Sequence, residues 1–426
     1  MIVSLIAIGS RGDVAPLITL GQGLAKRGHE VRVLAHGEFA PLAAGSDVTF
    51  LSARGKNPRE LLDGPKGRAF LRAARTPRGY AKRFAELASD AVEIGFEDTL
   101  AAADGSDVIL YQPTAFGGFN VAEKLGIPAV QVQLQPFLRS RSYPSVFVPR
   151  RTLGALGNSV SHVMAERMLS YALREPLNRA RAKVLGLPPL TSKNTAGDRV
   201  KLDAGQLLGF SAHVVPPAPD WPPSACQCGF WMDVPESNWS PDAATAAFLA
   251  RSGATLLFTL GSMVVDDPQK LVEAVVEAAA ASGHKLLFQR GWAGFGEGVS
   301  ASHVHMIDEA PHTSLFPLVD AVIHHGGAGT TARVLAAGLP SFAVPVIADQ
   351  WFWGYRIAAL GAGPAPLSAD NVSVKALTKR FSTLITKNSY RQRAGAVGMR
   401  LQSEDAISPT VDALERIVAQ GAPATA

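Results

Sequence analysis

Twice along this chain a short apolar run is followed by a helical pattern and then by another apolar run. That order constrains the fold more than any other feature. Ile2 to Gly9 reads as a buried strand. Val14 to Arg27 reads as a helix with Leu17, Gly21 and Leu24 on one face, and Gly28 ends it. EVRVLA is the next strand, and DVILYQ, a helix from about Gly117 to Leu125, and AVQVQLQ repeat the unit. The second half starts over with TLLFTLG, a helix from Asp267 to Ser282, KLLFQR, AVIHHGG and PSFAVPVI. Strands this apolar, joined through helices, belong in parallel sheets covered on both faces.

Between the halves the composition breaks. VVPPAPDWPPSACQCGFWMDVPESNWSP holds seven prolines and three tryptophans and no regular period, so residues 211–241 read as a linker. The expectation is an α/β chain with two Rossmann-like domains, 1–210 and 242–400, their parallel sheets facing a cleft, and a terminal segment 401–426. Ligands in such sheets bind beyond the carboxyl ends of the strands. Residues 54–83, basic and glycine-rich, read as an excursion from the first sheet, and Ser159 to Lys183 as a longer helix bent at Pro176.

Composition narrows the function classes. With 426 residues, 47% of them apolar, there is material for two sizeable cores. The net charge is +5, yet no lysine-arginine block interleaves with aromatics, so nucleic acid is not an expected partner. Cys226 and Cys228 form a lone C-x-C, short of the ligands of a zinc site and poorly spaced for a mutual disulfide; a reducing compartment is the simpler expectation. The first apolar run, IVSLIAIG, is too short for a membrane span, and no later run reaches 18 uninterrupted apolar residues. A cytoplasmic protein is expected, monomer or homodimer. The basic 54–83 stretch leaves open either peripheral contact with the inner face of the membrane or plain solvation.

The chemistry concentrates in VIHHGGAGTTARVLAAGLPSFAVPVIADQ, from Val322 to Gln350. A strand closes at Ile323, and a helix begins after a glycine-rich turn. Gly326, Gly327 and Gly329 let an anion approach the backbone, free N–H groups at the helix start point at it, and His325, Thr330 and Thr331 add donors. This is a diphosphate cradle without a lysine, and the Walker pattern is absent. A glycine-rich turn with a capping threonine explains the glycines equally well but leaves the histidines unused. GSRGDVAP follows the first strand, with Gly9 and Gly12 in the turn. Asp13 there is either a helix cap or a functional carboxylate. The dinucleotide fingerprint G-x-G-x-x-G is missing, so a nicotinamide or flavin enzyme is not expected.

GSRGDVAPLITLGQGLAKRGHEV, LLFTLGSM and APHTSLFPLVDAVIHHGGAGTTARVLAAGLPSFAVPVIADQWFWGYRI, in this order and spacing, resemble the GT-B glycosyltransferases that use nucleotide sugars. Within them the likeness is to the branch acting on sterols, macrolide and glycopeptide antibiotics, and bacterial glycolipids. The resemblance implies an inverting hexosyltransferase taking a UDP- or dTDP-sugar to a hydroxyl of a hydrophobic or lipid acceptor. It also implies no tightly bound cofactor and no required metal. Asp13 falls where the branch has its proposed base. His325 falls on a donor-phosphate histidine, Gly327, Ala328, Gly329 and Thr330 on the diphosphate loop, and Ser262 on a serine near the phosphates. Asp349 and Gln350 fall where side chains hold sugar hydroxyls. Glu309 replaces the base-stacking tryptophan of plant relatives, which shifts base recognition to backbone near Ala310 and His312. The family also packs its last helix, here about Ser408 to Ala419, back on the N-terminal domain.

In that mechanism the helix start and His325 stabilise charge growing on the diphosphate while Asp13 takes the proton of the attacking hydroxyl. A helix N-terminus lowers the Asp13 pKa and an apolar pocket raises it; sequence leaves the balance open. Pro136, Phe137, Leu138, Tyr143, Phe147 and the Ser159–Leu173 helix offer acceptor lining, or ordinary core. Two alternatives stand beside the transferase: a GT-B-like nucleotide-sugar epimerase or hydrolase, and a non-catalytic glycosyltransferase-like partner protein.

Overall fold

The computed structural model describes residues 1–57, 60–61, 67, 69, 73, 77–190, 203–232, 239–261, 263, 265, 267–291, 296, 298–308 and 310–420. Much of the 54–83 excursion therefore lies outside the described residues. The chain forms two compact units. One comprises Met1–Ser145, Thr152–Asp233 and Asp405–Ala426, the other Val146–Arg151 and Val234–Glu404.

The first unit is built on a seven-stranded sheet of β1 (Ile2–Ile6), β2 (Glu30–His36), β3 (Val48–Ala53), β4 (Val108–Tyr111), β5 (Ala129–Gln133), β6 (Asp203–Leu208) and β7 (Ala225–Gln227). Their order is β3-β2-β1-β4-β5-β6-β7, and every pair is parallel. Helices α1 (Arg11–Lys26), α2 (Pro77–Ala102), α3 (Gly117–Leu125) and α4 (Gly154–Ala180) cover it. Alternation along β1 divides two cores. Val3 and Leu5 pack with Leu17, Leu20 and Leu24 of α1, while Ile6 packs on the other face with Phe96, Phe119 and Leu173.

The second unit has β8 (Thr255–Thr259), β9 (Lys285–Gln289), β10 (Val304–Ile307), β11 (Ala321–His324) and β12 (Ser341–Ala343) in the order β10-β9-β8-β11-β12, again all parallel. Its helices are α5 (Ala243–Leu249), α6 (Pro268–Ser282), α7 (His312–Leu315), α8 (Ala328–Ala336), α9 (Gln350–Leu360), α10 (Val374–Thr386) and α11 (Asn388–Gln402). Phe258, Phe288, Ile323 and Phe342 fill one face of the sheet with Leu271, Val275 and Phe381; Leu257, Leu287 and Val322 face Phe248, Leu315 and Val334 on the other.

The 211–241 segment departs from the linker expected of it. It supplies β7, and Val214, Val215 and Trp231 are buried, so its first part belongs to the first unit. Prolines interrupt its periodicity while its apolar residues still reach the core. Trp231 Nε1 also donates to Thr410 Oγ1 at 2.9 Å, holding the last helix, α12 (Ile407–Ala419). Val411 and Leu414 of α12 complete the α1-side core, and Arg27 pairs with Asp412 at 2.9 Å. The helix around Pro176 runs from Gly154, earlier than expected, and continues through the proline to Ala180.

Candidate active site

Each sheet has one place where its strand order reverses, and Asp13 and His325 follow strands that border those two places. In the first sheet the reversal lies between β1 and β4, in the second between β8 and β11. Loops leaving such a pair diverge to opposite faces and open a crevice at the strand ends.

At the first reversal, α1 begins at Arg11 with Ser10 as its N-cap, so Asp13 is the third helical residue and not the cap itself. The Ser10 N–H donates to Asp13 Oδ2 at 2.8 Å, and the Ser10 hydroxyl donates to the same oxygen at 3.0 Å. No described residue donates to Oδ1. A Cβ on Gly9 would overlap this carboxylate, which explains the glycine. Burial pushes the Asp13 pKa above the ordinary aspartate value; the two Ser10 bonds pull it down and do not prevail.

Sequence reasoning missed the partner that follows β4. Gln112 Nε2 donates to the Asp13 carbonyl at 2.8 Å, pinning the first turn of α1, while its Oε1 is buried without a partner among the described residues. Its signal was a polar residue closing an apolar strand. His36 ends β2 at the same sheet edge, buried, with its pKa lowered by that burial. His162 is also buried, but its Nε2 meets the Tyr143 carbonyl at 3.1 Å. Tyr143 in turn donates its hydroxyl to Pro216 O at 2.9 Å.

At the second reversal, β11 ends in His324 and the chain turns through Gly326, whose φ of 90° suits glycine. A Cβ there would also stand 2.7 Å from the Gln350 carbonyl. Gly327 caps α8, and Thr331 N–H is the first to bond back, to Gly327 O at 2.9 Å. That leaves the N–H groups of Ala328, Gly329 and Thr330 without a helical acceptor. The His325 ring lies between two glycines: a Cβ on Gly327 would overlap Nε2, and one on Gly261, after β8, would sit 3.4 Å from Cε1. His325 is partly exposed as a residue, yet Nδ1 is sealed and has no partner among the described residues. Burial lowers its pKa to about 4, so the ring is neutral at pH 7 with one N–H to give.

His324 turns the other way, its ring at 89° to that of His325, and its Nδ1 accepts the Gly326 N–H at 3.1 Å. It holds the turn. Asp349 Oδ2 accepts from Trp353 Nε1 at 2.9 Å. Gln350 is buried, and its Oε1 accepts the N–H groups of Val346 and Ile347 at 2.7 and 3.1 Å. Between the loop and Asp349, Ala348 holds a left-handed φ of 53°. His312 opens α7 and stacks on Phe316 with ring centroids 4.6 Å apart. Ser262 and Glu309 lie outside the described residues.

Two family matches correspond to these two sites. Residues 3–144 match the glycosyltransferase family 28 N-terminal domain, and residues 297–418 match the erythromycin biosynthesis protein CIII-like C-terminal domain. In both regions the chain resembles glycosyltransferases of the GT-B fold. A sterol 3-beta-glucosyltransferase of Aspergillus fumigatus is 32% identical over 97% of this chain, and one of Komagataella phaffii is 30% identical over 96%. The chain spans only 30% and 34% of the length of those two curated relatives. Among solved structures, the kitacinnamycin glycotransferase aligns over 98% of this chain and 99% of its own with a TM-score of 0.70 at 19% identity. The Streptomyces sp. SF2575 glycosyltransferase SsfS6 complexed with thymidine diphosphate aligns over 98% of this chain and 99% of its own, with a TM-score of 0.62 and 19% identity. These likenesses establish the GT-B fold.

Proposed function

We propose that this chain transfers a hexose from a UDP- or dTDP-sugar to a hydroxyl of a hydrophobic acceptor, with inversion at the anomeric carbon. The observation that carries this is His325: a neutral ring set between Gly261 and Gly327, beside the unbonded N–H groups that open α8. As the anomeric carbon–oxygen bond breaks, negative charge grows on the diphosphate. Fixed dipoles and one ring N–H stabilise it with little reorganisation. Gly327, Ala328, Gly329 and Thr330 form that cradle, and the resemblance assigns Ser262 to the phosphates as well. His312 and the backbone at Ala310 take the base side.

Asp349 and Gln350 serve the sugar. The Gln350 carbonyl is committed to the loop, so its amide N–H groups, which otherwise meet the weak acceptor Met263 Sδ at 2.9 Å, are the ones to meet a hydroxyl. The acceptor hydroxyl attacks the anomeric carbon as its proton passes to Asp13 Oδ1. A carboxylate with a raised pKa is the stronger base for this step. The names of the relatives, sterol 3-beta-glucosyltransferases, support a hydrophobic acceptor. A neighbour of the same fold, a spinosyn rhamnosyltransferase, is complexed with spinosyn aglycone.

The test is a screen of purified chain with UDP- and dTDP-hexoses against sterol, terpenoid, polyketide and lipid acceptors. Nucleoside diphosphate release and product mass are read together. Acceptor-dependent release with a product one hexosyl unit heavier is expected. Release without any glycosylated product favours the hydrolase or epimerase reading, and binding without turnover favours a non-catalytic partner.

A further inference from the structure

Helix α4 is apolar on the side that faces water. Leu156 is 76% exposed, Met164 60% and Tyr171 87%, with Leu153 and Val160 close to half exposed. At 3.6 residues per turn the four helical positions, Leu156, Val160, Met164 and Tyr171, fall within an arc of about 80° and run for roughly 22 Å, with Leu153 just before them at the N-cap. The opposite face is the one that packs, with Ser161, His162, Ala165, Leu173 and Leu177 buried. A contiguous outward stripe of large side chains on an otherwise well-covered unit calls for a partner.

Charge identifies that partner. Arg167 and Arg174 lie along the same line of the helix, exposed and with no ion-pair or hydrogen-bond partner among the described residues. Arg150 and Arg151, also exposed, precede α4 in the chain. The only two carboxylates of α4 are already engaged, Glu166 with Arg139 and Glu175 with Arg179 at 3.6 Å. The stripe is therefore apolar in its first half and cationic and tyrosyl in its second, with no free negative charge. A protein surface seldom matches both halves. A bilayer with anionic headgroups does: aliphatic side chains enter the acyl boundary while arginine and tyrosine stay at headgroup depth.

We infer that α4 docks this chain on anionic lipid membranes through Leu153, Leu156, Val160 and Met164, with Arg167, Tyr171 and Arg174 at the headgroups. This does not depend on the sugar-transfer reading.

Flotation of the full chain with phosphatidylcholine vesicles, with and without phosphatidylglycerol as the anionic lipid, tests it. The chain is expected to float with the anionic vesicles and to be released by salt. Leu156→Ser/Met164→Ser should weaken partition at least about ten-fold, by loss of buried methylenes. Arg167→Gln/Arg174→Gln should weaken it about five-fold per arginine on anionic vesicles only. Both variants should keep the parent melting temperature and nucleotide affinity, since every changed side chain is exposed. Equal flotation of parent and Leu156→Ser/Met164→Ser overturns the inference, as does failure of the parent to float. A parent that is dimeric by light scattering, and monomeric once Leu156 and Met164 are replaced, would make the stripe a contact between copies and overturn it too.

Discussion

Asp13 Oδ2 accepts two hydrogen bonds from Ser10, from its N–H at 2.8 Å and its hydroxyl at 3.0 Å. Cap and base, alternatives in the sequence, are compatible on one carboxylate, because both Ser10 bonds fall on a single oxygen. Oδ2 closes the start of α1, and Oδ1 accepts from no described residue. The arrangement also ties the orientation of the carboxylate to the integrity of the helix.

Replacing Asp13 with asparagine separates the two roles. The asparagine carbonyl still accepts from Ser10, so the cap survives. Its amide group, turned to where Oδ1 was, cannot accept the acceptor's proton. Turnover under saturating substrates should fall roughly 100-fold to 10,000-fold with donor affinity kept. Stability should not fall. Because the folded-state pKa is raised, the native state holds the proton more tightly than the unfolded chain. Stability is therefore lost as pH climbs from the ordinary value of 3.8 through the raised one. An asparagine does not ionise and escapes that loss, so the variant should melt at or above the parent at pH 7. Near-normal turnover would return Asp13 to a purely structural role and turn attention to His36.

The rising limb of the rate against pH reports the same group. With Asp13 as the proposed base, turnover should rise through its raised pKa. Ser10→Ala removes the hydroxyl bond, one of the two contacts that lower that pKa, and keeps the backbone one. The limb should move to higher pH. A limb that stays in place in Ser10→Ala, with turnover otherwise intact, would mean that another group titrates.

Much of this was legible in the residues. Uniformly apolar strands and glycine-ended helices specify parallel sheets because only such sheets bury both faces of every strand, and HHGGAGTT placed a glycine turn before a helix. Other points were hidden. S-x-x-D at Ser10–Asp13 is a capping box written with the shorter acid, and a helix begun at Asp13 conceals it. Gln112 meets Asp13 only because β4 lies beside β1, a neighbour relation across about 100 residues that no local pattern carries. The proline-rich segment broke every periodicity test, yet Trp231 is core and braces Thr410. For Gln350, the family's pattern says sugar, while the fold shows its carbonyl holding the backbone of Val346 and Ile347.

His325→Ala should weaken UDP or dTDP binding by about 1.5–3 kcal/mol, the worth of a hydrogen bond to a charged acceptor. Isothermal calorimetry reads this directly, and turnover should drop with it. The same substitution has a signature in stability. A folded-state pKa of about 4 against an ordinary 6.5 means the unfolded chain binds the proton first. The His325 contribution is therefore full above pH 6.5 and fades as pH falls toward 4. The alanine variant should lose up to about 1.4 kcal/mol per pH unit from the slope of stability across that window. His324 keeps its own share, so the slope should flatten without vanishing.

The last prediction concerns a residue with no polar atoms in its side chain. Gly327 has a φ of −66°, which alanine adopts freely, so Gly327→Ala puts no strain on the backbone. Its added methyl would instead occupy the space of the His325 ring at Nε2 and displace the ring. If the ring's placement is what binds the diphosphate, Gly327→Ala should lower nucleotide affinity about as much as His325→Ala does, with the melting temperature little changed. The double substitution should then cost hardly more than either alone, since with the imidazole gone the methyl has nothing to displace. Affinities measured for the four proteins give the coupling, and an interaction on the order of 1–3 kcal/mol is expected for two groups in contact. Additive losses would mean that the methyl obstructs the anion itself. The cradle would then rest on the backbone N–H groups of α8, with His325 contributing separately.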